Sequence, residues 1–373
     1  PEVKTMYRAV KYRIYPTKKQ KELFAKTFGC VRYVYNHFLA VQKDAYQNSG
    51  KNLPHGQISK MLTELKKQDV FLKEADSISL QASVESLRDA YTNFFEKRAD
   101  YPVFKKRRHG GSYTTKNIKN NIRIGHNFIL LPKAGRLKTK VHRKAEGIIK
   151  SACVSMTPSG RYYVSFCLEC EDIPQMDKGN LPSVGIDAGL KDFLILSDGR
   201  KIENPRIGKK HLKKVQRLNR RLSRKQNGSG RKEKARLQLA REQEHIANIR
   251  KDFCHKLSRK LADEYSFIAA EDLSVKELLN KNSRKMAFSI ADASWYGFLE
   301  MLRYKCEWYG TGFQKIDKYY PSSQICHMCG YKNSETKNLS ARKIRCPQCG
   351  AEYDRDINAA QNILIEGLRL SAL

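Results

Sequence analysis

Nowhere in the chain do apolar residues run on for the roughly 18 to 20 positions a helix needs to cross a bilayer, which argues against a helical membrane protein. Pro1 to Lys19 mixes charge with apolar residues and lacks the unbroken hydrophobic stretch of a secretory signal. Without that signal, the ten cysteines are a poor match for a secreted disulfide scaffold, and four of them cluster as two close pairs. Acid is also scarce: 38 Asp and Glu face 72 Lys and Arg, a formal net charge of +34. Such a charge repels itself unless a polyanion neutralises it, and nucleic acid is the expected partner. What is present suffices for folding, since 373 residues with a 40% hydrophobic fraction allow two or three domains with real cores. The expected setting is the cytoplasm, beside the nucleoid.

Residues 5 to 15 alternate, with Val10, Tyr12 and Ile14 on one face, as in a half-exposed strand. Thr17 and Gln20 have the spacing of a capping box that opens a helix. Helical stripes follow at Val31, Val34, Tyr35, Phe38, at Ile58, Met61, Leu62, Leu65, and at Leu80, Val84, Leu87, Tyr91, Phe94, so 17 to about 98 reads as a helical block. Core packing accounts for those stripes. A basic stretch from Phe104 to Arg108 then breaks at Gly110-Gly111, and strands resume around Ile122, Ile124 and Tyr162 to Leu168. The first strand and these later ones could complete one small barrel, with the helical block as an insertion. After a polar linker from Glu171 to Pro182 come short strands at 184–187, 193–196 and 201–202, and two long helices parted at Asn227-Gly228-Ser229-Gly230. Phe267 to Ala270, a helix from about Ala293 to Tyr309 and a strand near Phe313 to Ile316 complete the pattern of an RNase H-like α/β core.

Cys326-x2-Cys329 and Cys346-x2-Cys349, sixteen residues apart, have the spacing of two knuckles that give four thiolates to one tetrahedral Zn2+. Gly330 and Gly350 follow each second cysteine and suit the tight turn that aims amides at sulfur. A four-Cys site is closed, so its metal folds the module and does no chemistry. Cys167 and Cys170 lie on a strand at a spacing that sends them to opposite faces, which excludes them as a metal pair. Cys30, Cys153, Cys254 and Cys306 read as small buried residues.

Three acidic positions stand out: Asp187 in Gly185-Ile186-Asp187, Glu271 in Ala270-Glu271-Asp272, and Asp356 in Asp354-Arg355-Asp356-Ile357-Asn358-Ala359-Ala360. Singly, an Asp at a strand end is a turn former and an Asp before a helix is a cap. Together they have the order of RNase H-like nucleases: an Asp on the first strand, a Glu on a later one, an Asp at the final helix. Such a set holds two Mg2+ ions about 3.5 to 4 Å apart for in-line attack on phosphorus. Asp354 and Asp356 compete for the third place, and Asp356 is taken because it directly precedes Ile357.

From Arg206 to Arg236 there are fourteen Lys and Arg against a single acid, Glu233. Unneutralised charge on that scale favours phosphate binding, with Lys209, Lys210, Lys213, Lys214, Arg217, Arg220 and Arg221 as contacts and Lys105, Lys106 and Arg107 as a second group. If roughly ten phosphates are contacted, duplex affinity falls with salt at a log-log slope near −9.

The sequence resembles the TnpB family, transposon-encoded relatives of the compact type V CRISPR nucleases. The residues that carry the resemblance are Tyr12-Arg13-Ile14-Tyr15-Pro16-Thr17, Val31 to Asn36, Gly185-Ile186-Asp187, Ala270-Glu271-Asp272-Leu273, Pro321 to Cys326 and Asp354 to Ala360. The resemblance implies a multidomain α/β protein. A wedge β-barrel (1–16 and 104–175) is interrupted by a helical recognition lobe (17–103), and a RuvC-type nuclease domain (183–321 and 353–373) by the zinc ribbon (322–352). It further implies a guide RNA from the transposon end, cleavage of double-stranded DNA beside a short transposon-adjacent motif, Asp187, Glu271 and Asp356 as Mg2+ ligands with Mn2+ able to substitute, and a monomer with its RNA. Gln57, Ser77 and Gln81 are polar positions in the region that would read the adjacent motif. Two other classes compete: a DDE-type transposase that joins DNA ends without RNA, and a non-catalytic nucleic-acid binder.

Overall fold

Strand alternation at the start of the chain is realised in β1 (Thr5–Tyr15), where Val10, Tyr12 and Ile14 are buried and Lys11, Arg13 and Tyr15 face water. The computed structural model describes residues 5–107, 110–171, 178–333 and 343–372. Arg108, His109 and the linker positions 172–177 lie outside them. The described residues gather into two units that divide within that linker.

In the first unit β1 pairs antiparallel with β7 (Tyr162–Glu171), from Thr5 opposite Glu171 to Ile14 opposite Tyr162. The remaining strands are β2 (Gly111–Lys116), β3 (Arg123–Ile124), β4 (Phe128–Leu131), β5 (Gly135–Thr139) and β6 (Ile148–Met156), and the sheet order is β2-β6-β7-β1-β5-β4-β3. No ladder joins β2 to β3 among the described residues, so the sheet is open where a closed barrel would need a further pairing. Three helices interrupt it: α1 (Lys18–Ser49), α2 (His55–Gln68) and α3 (Ser77–Phe95). The capping box forms, with the Gln20 amide donating to Thr17 Oγ1 at 3.4 Å and the Thr17 amide to Gln20 Oε1 at 3.0 Å. Phe24 and Phe28 of α1 pack against Tyr113 of β2, and a Cβ on Gly111 would meet the Phe28 ring at 2.3 Å.

The second unit is built on a five-stranded sheet of order β10-β9-β8-β11-β12: β8 (Ser183–Ala188), β9 (Asp192–Leu196), β10 (Lys201–Glu203), β11 (Phe267–Glu271) and β12 (Gly312–Ile316). The first three form an antiparallel meander, whereas β11 runs parallel to both β8 and β12. Between β10 and β11 lie α4 (Ile207–Ser223) and α5 (Gly230–Glu264), and between β11 and β12 lie α6 (Val275–Lys281), α7 (Arg284–Ala293) and α8 (Trp295–Tyr309). The helix expected from about 293 to 309 is α8, and the shorter α7 precedes it, the two parted at Ser294 in the left-handed region (φ 59°). On one face Val184, Ile186, Ile268 and Ala270 join Leu257, Leu261, Phe298 and Leu302 in the core. The opposite face is covered by α9 (Arg355–Ser371). A two-stranded ribbon, β13 (Lys343–Arg345) with β14 (Glu352–Asp354), precedes α9; residues 334–342 of the expected ribbon are outside those described.

Candidate active site and metal centre

Parallel register puts two carboxylates side by side. Ala269 stands opposite Gly185 and Ala270 opposite Ile186, so Glu271 follows in step with Asp187 at the carboxyl ends of neighbouring strands, where spacing is about 4.8 Å. Side chains two apart share a face, so Gly185 and Asp187 look the same way, as do Ala269 and Glu271. That is the face under α9. A Cβ on Gly185 would meet the Ala360 carbonyl at 2.0 Å, and one on Gly367 would meet the Ala269 methyl at 2.4 Å. The helix thus runs backbone-close along the sheet, with Ala360 over Gly185 and its first turn, carrying Asp356, displaced toward the acidic strand ends.

Electrostatics agrees with that convergence. Burial pushes the Asp187 carboxyl up to about 6, and the charge of Asp356 adds to the rise while Arg355 opposes it. Burial, then the charge of Asp187, raises Glu271 to about 7. Desolvated carboxylates that repel one another are the donor set a hard divalent cation would relieve.

Asp354 has other duties. Its Oδ1 accepts from the amides of Asp356 and Ile357 at 2.9 and 3.2 Å, which makes it the N-cap of α9, and its Oδ2 binds Lys201 Nζ at 2.7 Å. Against the effect of burial, these partners hold its carboxyl below the usual range. Asp356, one step inside the helix, contacts Arg355 at 3.4 Å.

The four cysteines come together. Their Sγ atoms all lie within 4.8 Å of one another, and no other group of three or more His, Cys, Asp or Glu does so among the described residues. Cys326 and Cys349 sulfurs are 3.8 Å apart and those of Cys329 and Cys346 3.6 Å. A tetrahedral ion with bonds of about 2.3 Å would set its sulfurs about 3.8 Å apart. Each knuckle is closed by a glycine in the left-handed region, Gly330 (φ 74°) and Gly350 (φ 72°), whose amides donate to the Cys326 and Cys346 carbonyls at 2.9 Å. Amides of Cys349 and Gln348 directed at its sulfur bring Cys346 down to about 7. Cys170 instead donates to the Glu146 carbonyl at 3.0 Å, on the face opposite Cys167.

Asn358 and Asn362 escaped the sequence reading. Both are buried, and together they fasten the first knuckle to α9. Asn358 Nδ2 donates to the Ile325 carbonyl at 2.7 Å and its Oδ1 accepts from the His327 amide at 2.9 Å; Asn362 Nδ2 donates to the carbonyls of Ser322 and Ile325 at 2.8 and 2.6 Å. The available signal was two Asn at helical spacing among inward-facing Ala and Ile.

The expected nucleic-acid contacts divide. Arg217, Arg220 and Arg221 gather with Arg224 and Lys225 round a groove of about 480 Å³ that no acid lines. Lys209, Lys210 and Lys213 are exposed on α4. Lys214 is exposed as well, and its ammonium pairs at 2.6 Å with buried Glu242, which also meets His211 at 2.8 Å. In the first unit Lys105, Lys106 and Arg107 are all exposed, with the Lys105 ammonium turned to 3.8 Å from the Tyr35 ring centre, where burial of the amine lowers its pKa. Gln57 lies in the first turn of α2, and Ser77 and Gln81 one turn apart on the exposed side of α3.

Comparison with known proteins follows the same outline. In fold the chain is similar to Cas12f1 as seen in its complex with sgRNA and target DNA (TM-score 0.56, 15% identity, 96% of this chain and 98% of the other), which places it in the class of compact Cas12f-type folds. Family models match three stretches: a "Helix-turn-helix domain" of OrfB/IS605 at 6–51, the OrfB/IS605 "Probable transposase" at 165–282, and the "Cas12f1-like, TNB domain" at 295–363. At 6–51 the structure has β1 and the single 32-residue helix α1. A Streptomyces pristinaespiralis protein named "Putative RNA-guided DNA endonuclease" is 39% identical over 98% of this chain and 90% of its own length. The Escherichia coli K12 protein InsQ, similarly named, is 33% identical over 96% and 92%, and the mimivirus "TnpB-like protein L79" 26% identical over 96% and 73%. The chain belongs to the TnpB family of the OrfB/IS605 group.

Proposed function

We propose that the protein is an RNA-guided DNA endonuclease that hydrolyses phosphodiesters at Asp187, Glu271 and Asp356 in a RuvC-like, RNase H-type domain. The observation that carries the proposal is the parallel register that sets Glu271 beside Asp187 under the helix bearing Asp356. The 3-2-1-4-5 strand order supports it, as do the names of the relatives and the guide RNA and DNA in the Cas12f1 complex. A guide RNA from the transposon end would pair with target DNA, and the first unit, whose open seven-stranded sheet stands where the wedge barrel was expected, would read the adjacent motif. A protein that grips a heteroduplex by its backbone needs cations more than base-reading groups, in keeping with the charge of +34.

Asp187 and Glu271 lie on neighbouring strands and would hold cations between them, with Asp356 closing the site from α9. Bound there, a Mg2+ pair, or Mn2+ in its place, supplies an activated water and neutralises charge on the departing 3′ oxygen. The chain's own part is orientation: Asp354 and Lys201 fix the first turn of α9, and Gly185 lets it approach the strand. The four cysteines would hold one Zn2+ as a structural ion. Such work belongs to the cytoplasm beside the nucleoid; no helix among the described residues is long and apolar enough to cross a membrane.

The test is cleavage of matched duplex by the protein purified with its guide. Cutting is expected with Mg2+ or Mn2+ and lost in Asp187→Ala, while RNA binding persists. Cutting that survives Asp187→Ala rejects the assigned site; strand joining without RNA favours a DDE transposase.

A further inference from the structure

Arg355 is the first residue of α9, between Asp354 and Asp356, and only 8% of it reaches solvent. An arginine keeps its charge at any working pH, so burying one demands negative partners. Its placement also runs against the helix, because the amino end of α9 carries positive partial charge, where a cation costs stability and an acid gains it. Asp354 already supplies the cap. The helix itself therefore gains nothing from this charge.

The carboxylates answer it instead. Arg355 Nη2 stands 3.4 Å from Asp356 Oδ1, and the guanidinium opposes the rise that burial and Asp356 impose on Asp187. Neighbouring cations are committed to other acids: Lys201 to Asp354 at 2.7 Å, and Lys315, on the strand beside Glu271, to Asp272 at 3.4 Å and Glu300 at 3.7 Å. The contact with Asp356 is a long one. On the same helix Arg369 grips Glu366 with two bonds of 2.7 and 2.8 Å, the spacing of a charge-assisted fork. A pair at 3.4 Å is close enough to offset charge, yet it is one that an ion of twice the charge can displace.

Resting on the nuclease assignment above, we propose that Arg355 is an internal counter-cation that sets the Mg2+ threshold of the carboxylate site. It offsets Asp187 and Asp356 before a divalent ion binds, and it competes with that ion for the same oxygens. Like charges sharing one set of carboxylates repel, so each ion binds more weakly than the acids alone would allow. The consequence is a site that stays assembled at low Mg2+ and fills only when Mg2+ is plentiful.

The experiment uses the full-length, guide-loaded protein without target DNA and Mn2+ as probe, the free ion being counted by electron paramagnetic resonance. Comparison between variants cancels the ions held by the RNA. Asp187→Asn should weaken Mn2+ binding at least about tenfold; binding unmoved by that change rejects the carboxylate site and the counter-cation with it. Arg355→Gln should tighten binding at least about fivefold, a gain that a folding defect does not produce, whereas Arg355→Lys keeps a charge and should stay within about twofold. Arg355→Met, which retains an apolar stem, should match Arg355→Gln. Mn2+ binding that is unchanged or weaker in the neutral variants, or equally tightened in Arg355→Lys, overturns the inference. Loss of zinc from both neutral variants does so too, since it makes Arg355 a structural strut. Cleavage of matched duplex with Mg2+ is measured in parallel. A wild type that binds Mn2+ without cutting rejects the nuclease assignment and the threshold with it, whereas cutting with unmoved Mn2+ binding in Arg355→Gln rejects the counter-cation alone.

Discussion

The four-cysteine cluster and the three-carboxylate cluster sit in the same unit and are assembled in opposite ways. The thiols come from two local turns and already stand 3.6 to 3.8 Å apart, the separations that one tetrahedral ion imposes. The carboxylates come from two strands and a helix, stand further apart than 4.8 Å as a set, and repel one another. A closed thiol site is a structural clasp. The proposed acid site is electrostatically unsatisfied, and the chemistry proposed for it would need room for waters and a substrate oxygen.

Breaking either site alone should leave the other standing. Glu271→Ala removes one proposed ligand while keeping the strand, and loss of several kcal/mol of charge stabilisation predicts cleavage slowed on the order of a thousandfold or more, with zinc content by elemental analysis unchanged. Reduced zinc in that variant would mean the sites are not independent. Cys346→Ser attacks the clasp. Zinc binding worth about 10 to 16 kcal/mol in small peptides should be lost, and proteolysis should then nick the ribbon between 326 and 349 while β8 to β12 survive. Retention of one zinc per chain by Cys346→Ser would refute the four-thiol assignment.

Acidity sharpens the contrast. Asp187 and Glu271 bind protons more tightly when folded than when unfolded, so Mg2+-free protein holds their contribution below the ordinary carboxylate range and loses it as pH rises through about 6 to 7. With each shift near two units, the loss between about pH 4 and 8 should be roughly 2–3 kcal/mol per group. Urea midpoints should show it, Mg2+ should cancel it, and Asp187→Asn should flatten it; an identical pH slope in that variant contradicts the mutual repulsion. A smaller effect is expected from Gly185→Ala. The added methyl must push α9 from β8, costing roughly 1–3 kcal/mol and lowering cleavage more than zinc occupancy. A variant as active and as stable as the wild type would show that the helix has slack at Ala360.

Local chemistry was legible in the sequence and long-range partnership was not. The capping box at Thr17 and Gln20, the alternation of β1 and both Cys-x2-Cys knuckles depend on residues within a few positions of one another, and all of them formed. The basic run from Arg206 looked unbalanced because its partners are remote: Glu242 reaches Lys214 and His211, and Asp292 reaches the first amides of α4. No periodicity announces such contacts. Helices α6 and α7, 7 and 10 residues long, were likewise hidden, because so short a segment shows little helical period. Asp356 was preferred over Asp354 by adjacency, and resemblance supplied the pairing with Asp187 and Glu271. What favours it physically, the occupation of Asp354 as cap and as partner of Lys201, needed coordinates.

The amide seam between Asn358, Asn362 and the first knuckle makes ribbon and helix mechanically one piece. Both asparagines are buried, so a tilt of the ribbon must either sever their hydrogen bonds to Ser322, Ile325 and His327 or drag the opening turn of α9 with it. Any load on the four-cysteine ribbon is thereby felt at Asp356, two residues from the joint.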